Sequence, residues 1–157
     1  MSRAFYRLAT LIAASSFAVA FAATAAIGPR ARLLWNSSAS APVGLYLVHV
    51  GARPRRGVFV ALMPPPGLAA FMVRRRYLGV NVPLLKRVAA TAGARVCRAD
   101  DLITIDGVAR ATARAHDRAG RALPGWGGCR ALERGELFLL NAPADSFDSR
   151  YFGPLSD

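Results

Sequence analysis

A long apolar run near the N-terminus constrains the fold of this chain more than any other feature. Residues 8–28 form a stretch of 21 positions without an ionisable side chain. A helix of that length extends about 30 Å, which matches the hydrocarbon core of a bilayer. Because the run has no polar face to present to water, a core helix of a soluble domain is a poor interpretation. The run predicts a transmembrane helix.

Two interpretations of this segment remain open. It is either an uncleaved anchor or a signal peptide, cut after a small-residue site at positions 18–20 or 23–25. The length favours the anchor. Basic residues flank both ends and set the orientation only weakly, and we expect the N-terminus inside and the body outside. The expected domains are therefore an anchor or signal segment at 1–28 and a folded body at 29–157.

After residue 44 the pattern changes to short apolar and β-branched runs separated by turn residues, which predicts a mainly β body. Asp106-Gly107 indicates a tight hairpin turn between two of these strands. Helical spacing at 68–78 predicts a short helical insertion that contains Arg74, Arg75 and Arg76 and stops at Gly79. The expected strands cover 45–50, 57–63, 83–90, 102–105, 108–109 and 135–141, with a loop at 113–130.

The strong positive charge does not indicate nucleic-acid binding. The net charge is +12, but the arginines are scattered, and the one dense cluster at 74–76 has no interleaved aromatic residues. We expect no nucleic-acid partner and instead a basic face near an anionic membrane lipid surface.

Two cysteines, Cys97 and Cys129, are 32 positions apart, without a CxxC pair or a neighbouring histidine. This spacing argues against a zinc site, and we expect neither a metal nor another cofactor. If the body is exported, the two thiols are candidates for a disulfide, and the alternative is a pair of buried free thiols.

Lysine usage points to a candidate general base. The chain contains 20 arginines but a single lysine, Lys86, which lies in an apolar strand. Lysine, unlike arginine, can lose its proton near neutral pH, and burial favours the neutral amine. Ser40, in a cluster of hydroxyl residues, is the candidate nucleophile. A triad using His49, or His116 with Asp117, is the alternative, but neither histidine has a supporting motif.

Three segments together resemble the signal peptidases. The first is Asn36-Ser-Ser-Ala-Ser-Ala-Pro-Val-Gly-Leu-Tyr46, the second is Leu85-Lys-Arg-Val88, and the third is Ser146-Phe-Asp-Ser-Arg-Tyr-Phe-Gly-Pro154. They occur in the order of that family's nucleophile, lysine and last boxes, after an apolar segment. The Ser-x-Pro-x-Gly-Leu-Tyr form is similar to the conjugative-transfer (TraF-type) branch.

The resemblance implies roles for individual residues. It makes Ser40 the nucleophile, Lys86 the general base and Ser38 a hydroxyl that helps to hold the oxyanion, while Ser146 orients the lysine amine. It makes Asp148 an acidic residue tied to the site, and Arg150 its structural partner. The alternative for these last two residues is an ion pair that only holds the terminal loop. Ser37 is expected to be a turn hydroxyl.

The resemblance also implies a function. We expect a membrane-anchored serine endopeptidase of the inner membrane with its catalytic domain on the periplasmic side. Its substrate would be an exported, pilin-like precursor, its partners would be conjugation or secretion components, and the product would be linear or cyclic. The alternatives are a general signal peptidase, a cytoplasmic self-cleaving repressor, against which the apolar segment argues, or an inactive β-domain scaffold.

The chain departs from the family pattern in three places. It has Gly93-Ala94 where signal peptidases have Gly-Asp, and Asn141-Ala142-Pro143 where they have Gly-Asp-Asn. It also ends at Asp157, so we expect the catalytic domain to lack its last strand. The first two departures concern supporting loops rather than the serine and the lysine.

Overall fold

The computed structural model describes residues 3–26 and 31–156, which divide into two compact units. The described residues up to Leu33, together with Leu47–Gly51, form the first unit. Helix α1, Arg3–Ala26, lies in this unit, and its segment Arg3–Ala23 has a mean hydropathy of 1.5. By length and composition α1 can cross a membrane or serve as a signal sequence. The predicted apolar helix is therefore present.

The rest of the described chain is mainly β, as expected. Two short helices, α2 and α3, occur among ten strands. The helices are α2 Pro66–Arg74 and α3 Ser149–Phe152, and the strands are β1 Ala31–Asn36, β2 Gly44–His49, β3 Phe59–Leu62, β4 Leu84–Ala90, β5 Arg95–Ala99, β6 Leu102–Ile105, β7 Val108–Thr112, β8 Gly128–Ala131, β9 Glu136–Leu139 and β10 Leu155–Ser156.

The strands form three sheets. Strands β1 and β2 pair with each other, a second sheet has the order β10-β9-β4-β3, and a third has the order β7-β6-β5-β8. In the second sheet β3, β4, β9 and β10 are antiparallel neighbours, with Val60 opposite Lys86 and Val88 opposite Leu139. Strand β4, which carries the only lysine, is therefore held between two partners.

Strand β9 contributes to two hydrophobic clusters. Leu137 and Leu139 pack in a cluster with Val88 and Tyr151. Phe138 and the residue directly after β9, Leu140, pack in a second cluster with other apolar side chains, among them Val96, Ile103 and Ile105. Successive side chains of a strand point to opposite faces, so an apolar run such as 137–140 is buried on both sides. This burial anchors the segment that leads into the third sequence box.

Helix α2 differs from its predicted bounds. It begins at Pro66 rather than at residue 68, because a proline is favoured in the first turn, where its missing N–H group costs nothing. It ends at Arg74, four residues before the predicted end. Arg76 has a φ of 60°, a left-handed conformation that ends a helix.

Five elements were not predicted from the sequence: β1, β5, β8, β10 and α3. The predicted loop at 113–130 is wrong at its end, where Gly128–Ala131 forms β8 and pairs with β5. Neither Arg95–Ala99 nor Gly128–Ala131 shows a regular alternation of apolar and polar residues, and each is a strand because of its partner. The predicted hairpin of β6 and β7 is present, with positive φ angles at Asp106 and Gly107.

The last described residues, Leu155–Ser156, form the short strand β10 against β9. The proposed domain boundary after residue 28 and the expected loss of a closing strand stay predictions.

Candidate active site

The loop between β1 and β2 carries the candidate nucleophile and is organised by Asn36. The buried Asn36 amide Nδ2 donates to the carbonyl oxygens of Ser38 at 2.9 Å, Ala41 at 3.1 Å and Pro42 at 3.0 Å. Its Oδ1 accepts hydrogen bonds from the backbone N of Ser38 at 3.1 Å and from the Ser38 hydroxyl at 3.0 Å. One side chain therefore holds both ends of the loop.

Asn36 stands at the start of the first sequence box, but no role was predicted for it. An asparagine followed two residues later by serine is a signal for an Asx-turn, which would have suggested this function.

The hydroxyl oxygens of Ser38 and Ser40 lie 3.0 Å apart. A hydroxyl has one hydrogen to donate, and Ser38 uses its own toward Asn36 Oδ1, so the Ser40 hydroxyl is the donor between the two serines. Ser40 is partly exposed, whereas the neighbouring Ala41 is buried. The loop therefore presents the Ser40 hydroxyl on a fixed backbone.

Lys86 is a buried lysine in the middle of β4. Its side chain is 4% exposed, and its Nζ donates a hydrogen bond to the Ser146 hydroxyl at 2.9 Å. Burial lowers the pKa of the Lys86 amine from its ordinary 10.5 to about 8; the Asp148 carboxylate opposes this change, and the Arg150 guanidinium adds to it. Near neutral pH a usable fraction of Lys86 is therefore the neutral amine.

Asn141 holds the backbone on both sides of Lys86. Its Oδ1 accepts from the backbone N of Arg87 at 2.8 Å, and its Nδ2 donates to the carbonyl oxygen of Leu85 at 3.3 Å. Its own backbone N donates to Asp148 Oδ2 at 3.1 Å. The sequence showed Asn141 only as a departure from the family pattern, and its position after the buried run of β9 gave no local sign of this contact.

Asp148 and Arg150 form a fully buried ion pair. The Arg150 Nε and Nη2 atoms donate to the two carboxylate oxygens of Asp148, each at 2.9 Å. The Asp148 side chain is also the N-cap of α3, accepting from the backbone N of Arg150. Burial raises the pKa of the Asp148 carboxyl group, and Arg150 and the N–H of Asn141 oppose that increase.

These contacts bear on the role of Asp148. Within the described residues, no hydrogen bond joins its carboxylate to Lys86 or to Ser40, and its influence on Lys86 is electrostatic. The contacts support the ion-pair alternative, and a direct catalytic role for Asp148 stays a prediction.

Ser38, Ser40, Lys86 and Ser146 line one cleft of about 810 Å³. No hydrogen bond between Ser40 and Lys86 is present in the described part of the chain, where Ser40 donates to Ser38 and Lys86 donates to Ser146. Catalytic hydrogen bonds are often long or poorly aligned before substrate binds. The absence of a direct bond therefore does not argue against Ser40 and Lys86 acting together, since both line the same cleft.

The histidines do not form a triad in the described structure. His49 is exposed at the end of β2. His116 lines the cleft, but the adjacent Asp117 accepts from the Tyr77 hydroxyl at 2.5 Å and from Arg121 Nε at 2.7 Å, and no hydrogen bond joins it to His116 in the described residues.

Cys97 and Cys129 are joined by a disulfide across the pair β5 and β8, where they are directly opposite each other. The described residues contain no group of three His, Cys, Asp or Glu side chains that could hold a metal ion.

The chain is similar to known proteins over most of its length. A family model described as signal peptidase, peptidase S26, matches residues 5–157. The chain is 39% identical to a conjugal transfer protein TraF of Agrobacterium fabrum over 78% of this chain and 74% of the relative. It is 31% identical to a plasmid transfer protein TraF of Escherichia coli over 99% of this chain and 92% of the relative.

Proposed function

This chain belongs to the signal peptidase (peptidase S26) family, and on that basis we propose that it is a serine endopeptidase with Ser40 as nucleophile and Lys86 as general base. The observation that carries the proposal is the environment of Lys86. It is a buried amine with a lowered pKa, and it lines the same cleft as a partly exposed serine hydroxyl. A serine hydroxyl becomes a nucleophile only when such a base takes its proton.

In the first step the neutral Lys86 amine takes the proton of the Ser40 hydroxyl as Oγ attacks the scissile carbonyl carbon. The carbonyl π electrons move to the oxygen and give a tetrahedral oxyanion. When the intermediate collapses, the C–N bond breaks, and the Lys86 ammonium returns its proton to the leaving amine. The product is an acyl-enzyme ester on Ser40.

Ser38 is proposed to stabilise the oxyanion together with the backbone N–H of Ser40. In the free protein the Ser38 hydroxyl donates to Asn36 Oδ1 at 3.0 Å. To donate to an oxyanion, this hydroxyl rotates away from Asn36, and the backbone N–H of Ser38 keeps its own bond to the same oxygen. The loop therefore stays in place while the hydroxyl turns.

Ser146 and the Asp148–Arg150 pair are proposed to position the lysine. Ser146 accepts from Nζ and directs the amine, and the ion pair holds the backbone of Asn141, which in turn holds both neighbours of Lys86. The backbone is held on both sides of Lys86, and Ser146 holds the amine. The amine therefore loses little entropy when it aligns with Ser40.

The substrate is proposed to be an exported, pilin-like precursor that is processed during conjugation. The peptidase family match and the relatives named for conjugal and plasmid transfer together support a peptidase-like role in that process. The acyl-enzyme would be resolved by water, giving a linear product, or by an amine of the precursor itself, giving a cyclic one.

We place the catalytic unit on the periplasmic side of the inner membrane, with α1 as its anchor. The Cys97–Cys129 disulfide supports this location, because disulfides persist in the periplasm and are rare in the cytosol.

The test is processing of a co-expressed pilin precursor by the wild type and by variants, with the product mass read by mass spectrometry. Ser40→Ala and Lys86→Arg should leave the precursor uncut. Ser37→Ala is the matched control, because Ser37 lies in the same loop and has no proposed catalytic role. This variant should still cleave the precursor. A product lighter by one water than the linear peptide indicates cyclisation.

Cleavage by the Ser40→Ala protein at the wild-type site would refute the proposal. Tight binding of the precursor by the wild type without cleavage would instead indicate a scaffold function.

A further inference from the structure

The cleft has more positive charge than catalysis by Ser40 and Lys86 requires. Five arginines line it, whereas the lining residues include only two carboxylates, Asp117 and Asp145. The arginines are Arg75, Arg76, Arg114, Arg118 and Arg121.

Both carboxylates are already occupied. Asp117 pairs with Arg121 at 2.7 Å and with Arg75 at 3.9 Å, and Asp145 pairs with Arg118. The hydrogen bond from Tyr77 lowers the pKa of Asp117 well below its ordinary value, so this carboxylate stays ionised. The two acids therefore account for three of the five guanidinium groups.

The other two arginines, Arg76 and Arg114, have exposed side chains with no ion pair in the described part of the chain. Their backbones are nevertheless fixed. The N–H of Arg76 donates to the Val73 carbonyl at 3.0 Å, and the N–H of Arg114 donates to the Tyr151 hydroxyl at 3.0 Å. Each guanidinium is therefore free to bind while its attachment point is held.

The segments that carry these arginines are tied together. Arg75 Nη1 donates to the Ala122 carbonyl at 2.7 Å, and Arg121 Nη2 donates to the Arg75 carbonyl at 3.1 Å. The residues that follow α2 and the loop after β7 thus form one basic wall of the cleft rather than two independent surface segments.

We propose that Arg76 and Arg114 bind a carboxylate of the precursor, so that the cleft selects peptides with an acidic group near the scissile bond. The inference rests on the proposed function, because it places this contact in the cleft of Ser40. A guanidinium matches a carboxylate with two parallel hydrogen bonds, which gives geometric selection as well as charge. The carboxylate belongs either to a Glu or Asp side chain or to a free C-terminus.

The test measures binding rather than cleavage. The full-length Ser40→Ala protein in detergent is titrated with fluorescent alanine-rich octapeptides that carry one Glu or one Gln, each with a free or an amidated C-terminus. Because the readout is binding, a failure of the proposed catalysis by Ser40 leaves this result unaffected. We expect the best carboxylate-bearing peptide to bind about fivefold more tightly than the peptide with Gln and an amide, as partly exposed charge pairs allow.

The matched variants are Arg76→Gln/Arg114→Gln and Arg110→Gln/Arg134→Gln, which lower the net charge equally. Arg110 and Arg134 are also exposed, but they do not line the cleft. The preference should disappear in the first variant and remain in the second. Comparison of the amidated Glu peptide with the Gln peptide that has a free C-terminus identifies the source of the carboxylate.

Equal binding of all four peptides, or loss of the preference in both double variants, would overturn the proposal. The proposal would also be overturned if Arg76→Gln/Arg114→Gln kept the peptide preference and lost only its binding to vesicles containing phosphatidylglycerol. In that case the basic wall would contact lipid.

Discussion

Burial of Lys86 predicts that activity rises with pH around 8, that stability rises between about pH 8 and 10.5, and that both effects disappear in Lys86→Met. Methionine has a similar length and fits an apolar strand, but it has no proton to exchange. The variant therefore removes the titrating group while leaving β4 filled.

The size of the effect on activity follows from the lowered pKa of Lys86. With a pKa of about 8, about one tenth of the amine is neutral at pH 7, against about 1 in 3,000 at the ordinary value. If the neutral amine is the base, kcat/KM rises with pH and reaches half its plateau near pH 8. Burial then makes the neutral base about 300-fold more abundant at pH 7.

The effect on stability has a defined sign. Between pH 8 and 10.5 the unfolded chain keeps the Lys86 proton, while the folded protein has lost it. Stability therefore rises with pH across this window, by about 3 kcal/mol in total at about 1.4 kcal/mol per pK unit. Tyr77 acts in the opposite direction above pH 10, because its pKa is raised in the folded protein. The difference between wild type and Lys86→Met cancels that contribution.

The assay is urea unfolding followed by tryptophan fluorescence, since the Trp126 ring packs edge-on against the buried Phe138. The wild-type free energy of unfolding minus that of Lys86→Met should increase by about 3 kcal/mol from pH 7 to 10.5. Ser40→Ala is the matched control, because it should be inactive and still show the full increase. A flat difference curve, or a kcat/KM profile without an ionisation between pH 7 and 9, would refute the reasoning.

Three further predictions concern groups around the site. Asn36→Ala should lower kcat at least tenfold with little change in KM and cost about 1–3 kcal/mol of stability, because it removes the amide hydrogen bonds that hold the loop of Ser40. An unchanged kcat would show that these hydrogen bonds are not needed to position that loop. Arg150→Met should cost about 3–5 kcal/mol in urea unfolding, since it leaves the Asp148 carboxylate buried and unpaired, and adding Asp148→Asn should recover part of that loss. Cys97→Ala/Cys129→Ala should lower the free energy of unfolding by about 3–4 kcal/mol, and dithiothreitol should destabilise only the wild type. A wild type whose stability does not change with dithiothreitol would contradict this prediction.

The elements predicted correctly from the sequence are those whose signals are local. The apolar run before residue 28 has its own length and composition, and the hairpin of β6 and β7 has a turn dipeptide with positive φ angles. Strand β4 is a run of apolar residues interrupted only by Lys86 and Arg87. In each case the physical preference is contained within a few consecutive residues.

The strands that were missed depend on partners far along the chain. Gly128–Ala131 has no strand-forming composition, and it is a strand because β5 offers it backbone hydrogen bonds. The same pairing places Cys97 opposite Cys129. The sequence could therefore suggest the disulfide, but only the strand pairing brings the two sulfur atoms together.

The candidate site was predicted from two residue patterns, a lone lysine in an apolar strand and a hydroxyl-rich loop, and from three boxes that resemble those of the signal peptidases. The order of the boxes along the chain carries that prediction because the boxes contain the proposed nucleophile and the proposed base. Only the tertiary structure decided how those groups are held. Asn36 and Asn141 hold the loop and the lysine strand, and Asp148 is engaged by Arg150. Hydrogen-bond partners depend on which backbones meet in space, and burial, which lowers the pKa of Lys86, is a property of the packed fold.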